Sequence, residues 1–151
     1  MLSSVFVYGT LMSPDVVRVL LGRIPQRTAP AFVSGFQRYP VLGQEFPGMI
    51  RKEGGRTDGV VIEDLSLEEM QILDWFEGDE YVRQSVTVQW DDGVTRKLQS
   101  FVWNNPWEEL DMEKEWNYQH FCETKLQWYI ANTVRPCRLE MDDLGVGKKS
   151  E

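Results

Sequence analysis

Ser4-Val5-Phe6-Val7-Tyr8-Gly9-Thr10-Leu11, followed by Ser13-Pro14-Asp15, reads as a strand that turns directly into a helix. Val5 to Tyr8 is a β-branched and aromatic run, the composition of a short buried strand. Gly9 permits a turn closed to residues that carry a Cβ. Ser13 suits an N-cap, Pro14 the first helical position, Asp15 the first turn and Gly22 the stop. The N–H groups at such a junction point outward and the helix dipole assists them, so a small carboxylate-bearing ligand has a natural place there. The same residues also suit an ordinary connection between strand and helix.

Seventy residues on, Ser66-Leu67-Glu68-Glu69-Met70-Gln71-Ile72-Leu73-Asp74-Trp75-Phe76-Glu77-Gly78 predicts a helix with defined ends. Ser66 and Glu69 form a capping box, and Gly78 follows as the C′ residue. Met70, Leu73 and Glu77 share one face, so a carboxylate completes an apolar stripe. Burial disfavours its charged form, and the negative end of the helix dipole acts in the same direction. With no Lys or Arg within four residues, Glu77 has the surroundings of a general base. A glutamate that snorkels to solvent from a frayed helix end would have the same placement.

The 151 residues are enough for one domain with a real core, and six Trp, seven Phe and five Tyr supply an aromatic interior. A net charge of −8, with the only basic cluster at Lys148-Lys149, argues against nucleic acid as a partner. Val16 to Leu21 is too short for a membrane span and carries Arg18, and nothing resembles a signal peptide. A soluble, cytoplasmic protein is therefore expected, with no membrane partner. Cys122 and Cys137 are too few and too far apart for a zinc site or disulfide framework. One histidine, His120, cannot supply a multi-histidine metal site. No Gly-x-Ser-x-Gly elbow and no glycine-rich phosphate fingerprint occurs. For an enzyme, carboxylate and backbone chemistry remains.

Between and beyond these two cassettes, Ala31 to Tyr39, Gly48 to Lys52, Asp58 to Glu63, Tyr81 to Trp90 and Val94 to Asn104 read as strands. Asp91-Asp92-Gly93 predicts a hairpin, and Glu53-Gly54-Gly55-Arg56 predicts a second turn. A long helix is expected from about Glu113 to Asn132, and a disordered polar tail over residues 142–151 after a single domain of residues 1–141. Antiparallel strands with peripheral helices make an α+β fold, whose sheet loses its edges on closing.

Tyr8-Gly9-Thr10-Leu11, Gly35-Phe36, Phe46-Pro47-Gly48 and Leu73-Asp74-Trp75-Phe76-Glu77-Gly78 with Tyr81-x-Arg83, in this order, resemble the gamma-glutamylcyclotransferase-like family. The aromatic segment from Trp116 to Tyr129 resembles its plant branch, the avirulence-induced proteins. The resemblance implies a small mixed β-barrel flanked by helices. It also implies that the α-amino group of a small gamma-glutamyl substrate attacks its own side-chain carbonyl, giving 5-oxoproline and a released amine or amino acid, with no metal or organic cofactor required. Glu77 would be the acid/base, and Tyr8, Gly9, Thr10, Leu11, Met12 and Ser13 would hold the glutamyl unit. Tyr81 and Arg83 belong to the motif, either as substrate contacts or as strand-pairing and core polar groups. Trp103 stands where many relatives carry a tyrosine or other aromatic. Arg38 and Arg51 are two further arginines able to meet a carboxylate. A hydrolase or acyltransferase using the same pocket, or a ligand-binding protein without catalysis, would fit the same fold.

Overall fold

The computed structural model describes residues 2–148. Its centre is a closed barrel of five strands: β1 (Ser3–Val7), β2 (Arg27–Pro40), β3 (Pro47–Leu65), β4 (Tyr81–Gln89) and β5 (Thr95–Trp103), in the order β1-β3-β2-β4-β5. All pairings are antiparallel except β1 with β5, which closes the barrel in parallel through Val5 and Phe6 against Gln99 and Ser100. Closure gives every strand a partner on each side, although β2 meets β4 only through Phe32 and Val33 against Gln89 and Val88. The inward residues Phe6, Val33, Phe36, Met49, Val61, Val86, Val88 and Val102 fill the interior.

Local chemistry sets the first helix as expected. The Ser13 hydroxyl accepts from the Val16 N–H at 3.3 Å, Pro14 begins α1 (Pro14–Leu21), and Gly22 ends it with φ +77°. A serine cap of this kind is worth about 1 kcal/mol. The capping box of α2 (Leu67–Glu77) is present in both directions: Ser66 N–H to Glu69 Oε1 at 3.0 Å, and Glu69 N–H to Ser66 Oγ at 3.1 Å. Both helices lay their apolar faces on the outside of the barrel, joining Val5, Val7, Ile62 and Leu65 in a second core. The Asp91-Asp92-Gly93 hairpin forms, with Gly93 at φ +87°.

The expected turn at Glu53-Gly54-Gly55-Arg56 is instead a bulge inside one long strand. Arg51 pairs with Phe36 and Arg56 with Ser34, so residues 52–55 lie opposite Gly35 alone and the chain does not reverse. Gly54 and Gly35 take the positive φ that the bulge demands, +75° and +81°. A Cβ on Gly55 would stand 2.8 Å from the Phe36 carbonyl oxygen. The two short strands expected on either side are therefore both β3.

The C-terminal helix is also displaced from its expected position. Residues 113–117 are not helical, because Asn117 caps α3 (Tyr118–Thr124) through its own side chain to the His120 N–H at 2.8 Å. After an interruption at Lys125 come α4 (Leu126–Tyr129), a π-turn over Ile130–Val134, and α5 (Arg135–Leu144). Residues 142–148 of the expected disordered tail are instead ordered: they continue α5 to Leu144 and turn back, Val146 N–H bonding the Met141 carbonyl at 3.0 Å. Residues 149–151 lie outside the described residues. No helix among the described residues is long and apolar enough to cross a membrane.

Candidate active site

A cavity of about 190 Å³ opens where β1 leaves the barrel. Tyr8, Gly9, Thr10 and Leu11 form one wall, on the tight turn Thr10–Met12 that connects β1 to α1. Inside that turn Met12 N–H bonds Gly9 and Ser13 N–H bonds Thr10. The preceding N–H groups of Gly9, Thr10 and Leu11 fall before the first internal donor, so the turn itself does not use them. At the start of α1, by contrast, Ser13 already serves the Val16 N–H. Gly9 has no left-handed backbone, but space there is tight: a Cβ would lie 3.0 Å from Pro47 Cδ, and the proline ring would have to give way.

Glu77, the last residue of α2, enters the same cavity with Phe76 and Glu80 beside it. The residue is half-buried, and its carboxyl is pushed up to about 8. Loss of water is the main cause, and the carboxylates of Glu80 and Asp74 add to it. Among the described residues no cation is a cause opposing them. Glu77 therefore exchanges a proton near neutral pH, as an ordinary surface glutamate does not.

Tyr81 lies against the opening, its hydroxyl donating to the Pro47 carbonyl at 2.6 Å. Tyr8 donates to the Phe101 carbonyl at 2.5 Å. Burial raises both phenols well above their ordinary value, so both stay protonated donors. Trp103 is buried behind Tyr81, edge-on at 5.3 Å, and its indole N–H reaches the Pro106 carbonyl at 3.3 Å. Gly48 makes room for it, since a Cβ there would stand 2.9 Å from Trp103 Cδ2. Trp103 thus supports the wall without lining it.

Of the residues singled out from the sequence, the structure brings together Tyr8, Gly9, Thr10, Leu11, Glu77 and Tyr81. Met12 and Ser13 do not reach the cavity: the Met12 carbonyl accepts from Arg27, and Ser13 caps α1. Arg83 lies on an adjoining shallow recess and pairs with Asp74 at 3.0 Å. Arg38 donates to the Tyr8 carbonyl at 2.5 Å and stacks over Trp116, while Arg51 stacks on Phe36. His120 is exposed on α3, and Cys122 is half-buried away from the cavity. Among the described residues no group of His, Cys, Asp and Glu has the arrangement of a metal site.

The far wall was not legible in the sequence. Tyr129, Thr133 and Cys137 supply it from the C-terminal helices, with Phe46 and Pro47 at the rim. Only their regular spacing of four residues could have signalled a shared face. Tyr129 is buried, packs edge-on against Phe121 at 5.5 Å, and holds its hydroxyl 3.5 Å from Thr10 Oγ1.

A small closed mixed barrel, with a water-poor glutamate facing the turn after its first strand, is the class that fold and cavity define. Comparison with known proteins agrees. The family described as "Gamma-glutamyl cyclotransferase, AIG2-like" matches residues 5–119, and the chain belongs to it. The Arabidopsis thaliana relative "AIG2-like protein D" is 36% identical over 132 residues, 86% of each chain. A protein of Arabidopsis thaliana with a known solution structure is 29% identical, covers 99% of this chain and 95% of its own, and superposes with a TM-score of 0.66. A solved gamma-glutamyl cyclotransferase shares the fold at 17% identity, with a TM-score of 0.60 over 70% of this chain and 68% of its own.

Proposed function

We propose that the protein is a cofactor-independent gamma-glutamylcyclotransferase with Glu77 as its general acid/base. The observation that carries this reading is the Glu77 carboxyl, raised to about 8, facing the Tyr8–Leu11 turn across one cavity. The gamma-glutamyl α-amine would lie beside Glu77, and its side-chain carbonyl oxygen against the N–H groups of Gly9, Thr10 and Leu11. A bound α-ammonium supplies the opposite charge that Glu77 lacks in the free protein and draws its pKa down, so the carboxylate form is available. Glu77 then takes a proton from the ammonium, and the freed amine attacks the carbonyl carbon. Negative charge grows on that oxygen, where backbone donors stabilise it. As the tetrahedral species collapses, Glu77 returns its proton to the departing nitrogen and the C–N bond to the leaving group breaks; Glu77 then takes the second proton of the ring nitrogen, and that proton leaves with the released amine as its ammonium ion. The products are 5-oxoproline and the free amine.

Acid/base assistance of this kind contributes about 10²–10⁴-fold. The nucleophile belongs to the substrate, so a cavity that folds the glutamyl chain toward ring closure adds a proximity term. The test is amine release from gamma-glutamyl amides by the native protein and by Glu77→Gln and Glu77→Asp, with circular dichroism to establish that each is folded. The reading expects a folded Glu77→Gln protein that releases no amine and a Glu77→Asp protein with reduced release. Undiminished release by folded Glu77→Gln would overturn it.

A further inference from the structure

We infer that Tyr129, Thr133 and Cys137 form the wall that contacts the leaving group and so set which gamma-glutamyl compounds the site accepts. The inference rests on the reaction proposed above. The glutamyl half of a substrate is accounted for by the Tyr8–Leu11 turn and Glu77; of the remaining lining, which also includes Phe46, Pro47, Phe76 and Tyr81, these three residues alone come from beyond the span 5–119 that the family model matches.

Their alignment has a specific structural cause. An α-helix rotates about 100° per residue, so Tyr129 and Cys137, eight apart, would diverge by about 80°. The π-turn Ile130–Val134 lies between them, with the Arg135 N–H bonding the Ile130 carbonyl five residues back. A π-bulge adds one residue without the matching rotation, which returns the two side chains to within about 20° of each other. Pro136 favours the bulge, because it has no N–H for the Asn132 carbonyl and its ring crowds that carbonyl. Asn132 Nδ2 in turn donates to the Trp128 carbonyl at 2.9 Å, satisfying an acceptor beside the disturbed turn. The bulge thus turns a drifting helical stripe into a flat wall of one phenol, one hydroxyl and one thiol. Tyr129 is fixed by its packing, whereas Thr133 and Cys137 are half-buried and open to the cavity. The two latter positions are where the shape of a leaving group is read.

Two gamma-glutamyl amides that differ only beyond the scissile bond, gamma-L-glutamyl methylamide and gamma-L-glutamyl anilide, test this. Thr133→Leu enlarges a side chain in a cavity of about 190 Å³. It should lower kcat/KM for the anilide relative to the methylamide about tenfold, the scale of a methylene-sized change in a pocket. An equal loss on both substrates would mean a merely structural role and would overturn the inference. A second measurement needs no turnover: alkylation of Cys137 by iodoacetamide in a Glu77→Gln, Cys122→Ser protein. The anilide should slow it several-fold more than L-glutamine does. Equal slowing, or none, would also overturn the inference. Failure of the native protein to form 5-oxoproline from either amide would refute the proposed reaction alone, because the alkylation rate still reads the wall.

Discussion

Replacing Glu77 by glutamine should change the pH dependence of folding stability in a defined direction. In the unfolded chain a glutamate titrates at its ordinary value of 4.5; in the folded protein Glu77 is pushed up to about 8. Between these values the folded state holds a proton that the unfolded state has lost. The native protein's unfolding free energy must therefore fall as pH rises, by up to about 1.4 kcal/mol per pH unit, and the loss ends above about 8. Over the whole interval the effect is at most about 5 kcal/mol, a ceiling because the cavity opens to solvent. For a domain with about 5–15 kcal/mol of total stability that is a large share. Glutamine keeps the shape of the protonated acid and cannot ionise. Glu77→Gln should thus resemble the native protein near pH 5 and exceed it in stability near pH 8, as expected when a charge is buried without a partner. Urea unfolding of both proteins across that range, followed by tryptophan fluorescence, supplies the two curves. Asp74 and Glu80 are also raised by burial, but they are present in both proteins and largely cancel in the difference. A difference that does not change with pH would refute the claim that Glu77 is held in a water-poor cavity.

Further outcomes follow from the same geometry. Gly9→Val places a branched side chain against Pro47 and should lower kcat/KM about 10²-fold by displacing the turn, read by steady-state kinetics. Gly59→Ala puts a Cβ 2.3 Å from the Val7 carbonyl oxygen, inside the β1–β3 pairing, and should destabilise the barrel by about 3 kcal/mol or more in urea. In the free protein kcat/KM should rise with pH toward about 8 as Glu77 ionises, read by steady-state kinetics from about pH 6 to 9; a flat profile would count against Glu77 as the base. A chelator should leave turnover unchanged, since every proposed step uses a side chain, a backbone N–H or the substrate's own amine; inhibition would show a metal-dependent step.

What could be read in advance was local. The entry into α1 and both ends of α2 were legible because caps and stops act within four residues of the side chains that make them. The Asp91-Asp92-Gly93 hairpin was legible for the same reason. Glu53-Gly54-Gly55-Arg56 misled because two glycines serve a reversal and a bulge equally well, and only β2, running past on both sides, decides between them. The helix expected over 113–132 overlooked Asn117 as a cap and stopped before Pro136, which the π-turn accommodates. Glu77 and the Tyr8–Leu11 turn were visible as separate signals, each with a local motif. Their meeting, and the arrival of Tyr129, Thr133 and Cys137 opposite them, depends on tertiary packing between residues as far apart as Tyr8 and Cys137, for which a local pattern carries no information.

The account turns on whether the substrate's own amine, rather than water, attacks the carbonyl. Identifying the acyl product released from a gamma-glutamyl amide, by mass spectrometry with purified protein, decides this most directly. Cyclisation predicts 5-oxoproline in equal amount to the free amine, and no glutamate. Glutamate in its place would contradict the account and mark a hydrolase, and an unchanged substrate would contradict it as well.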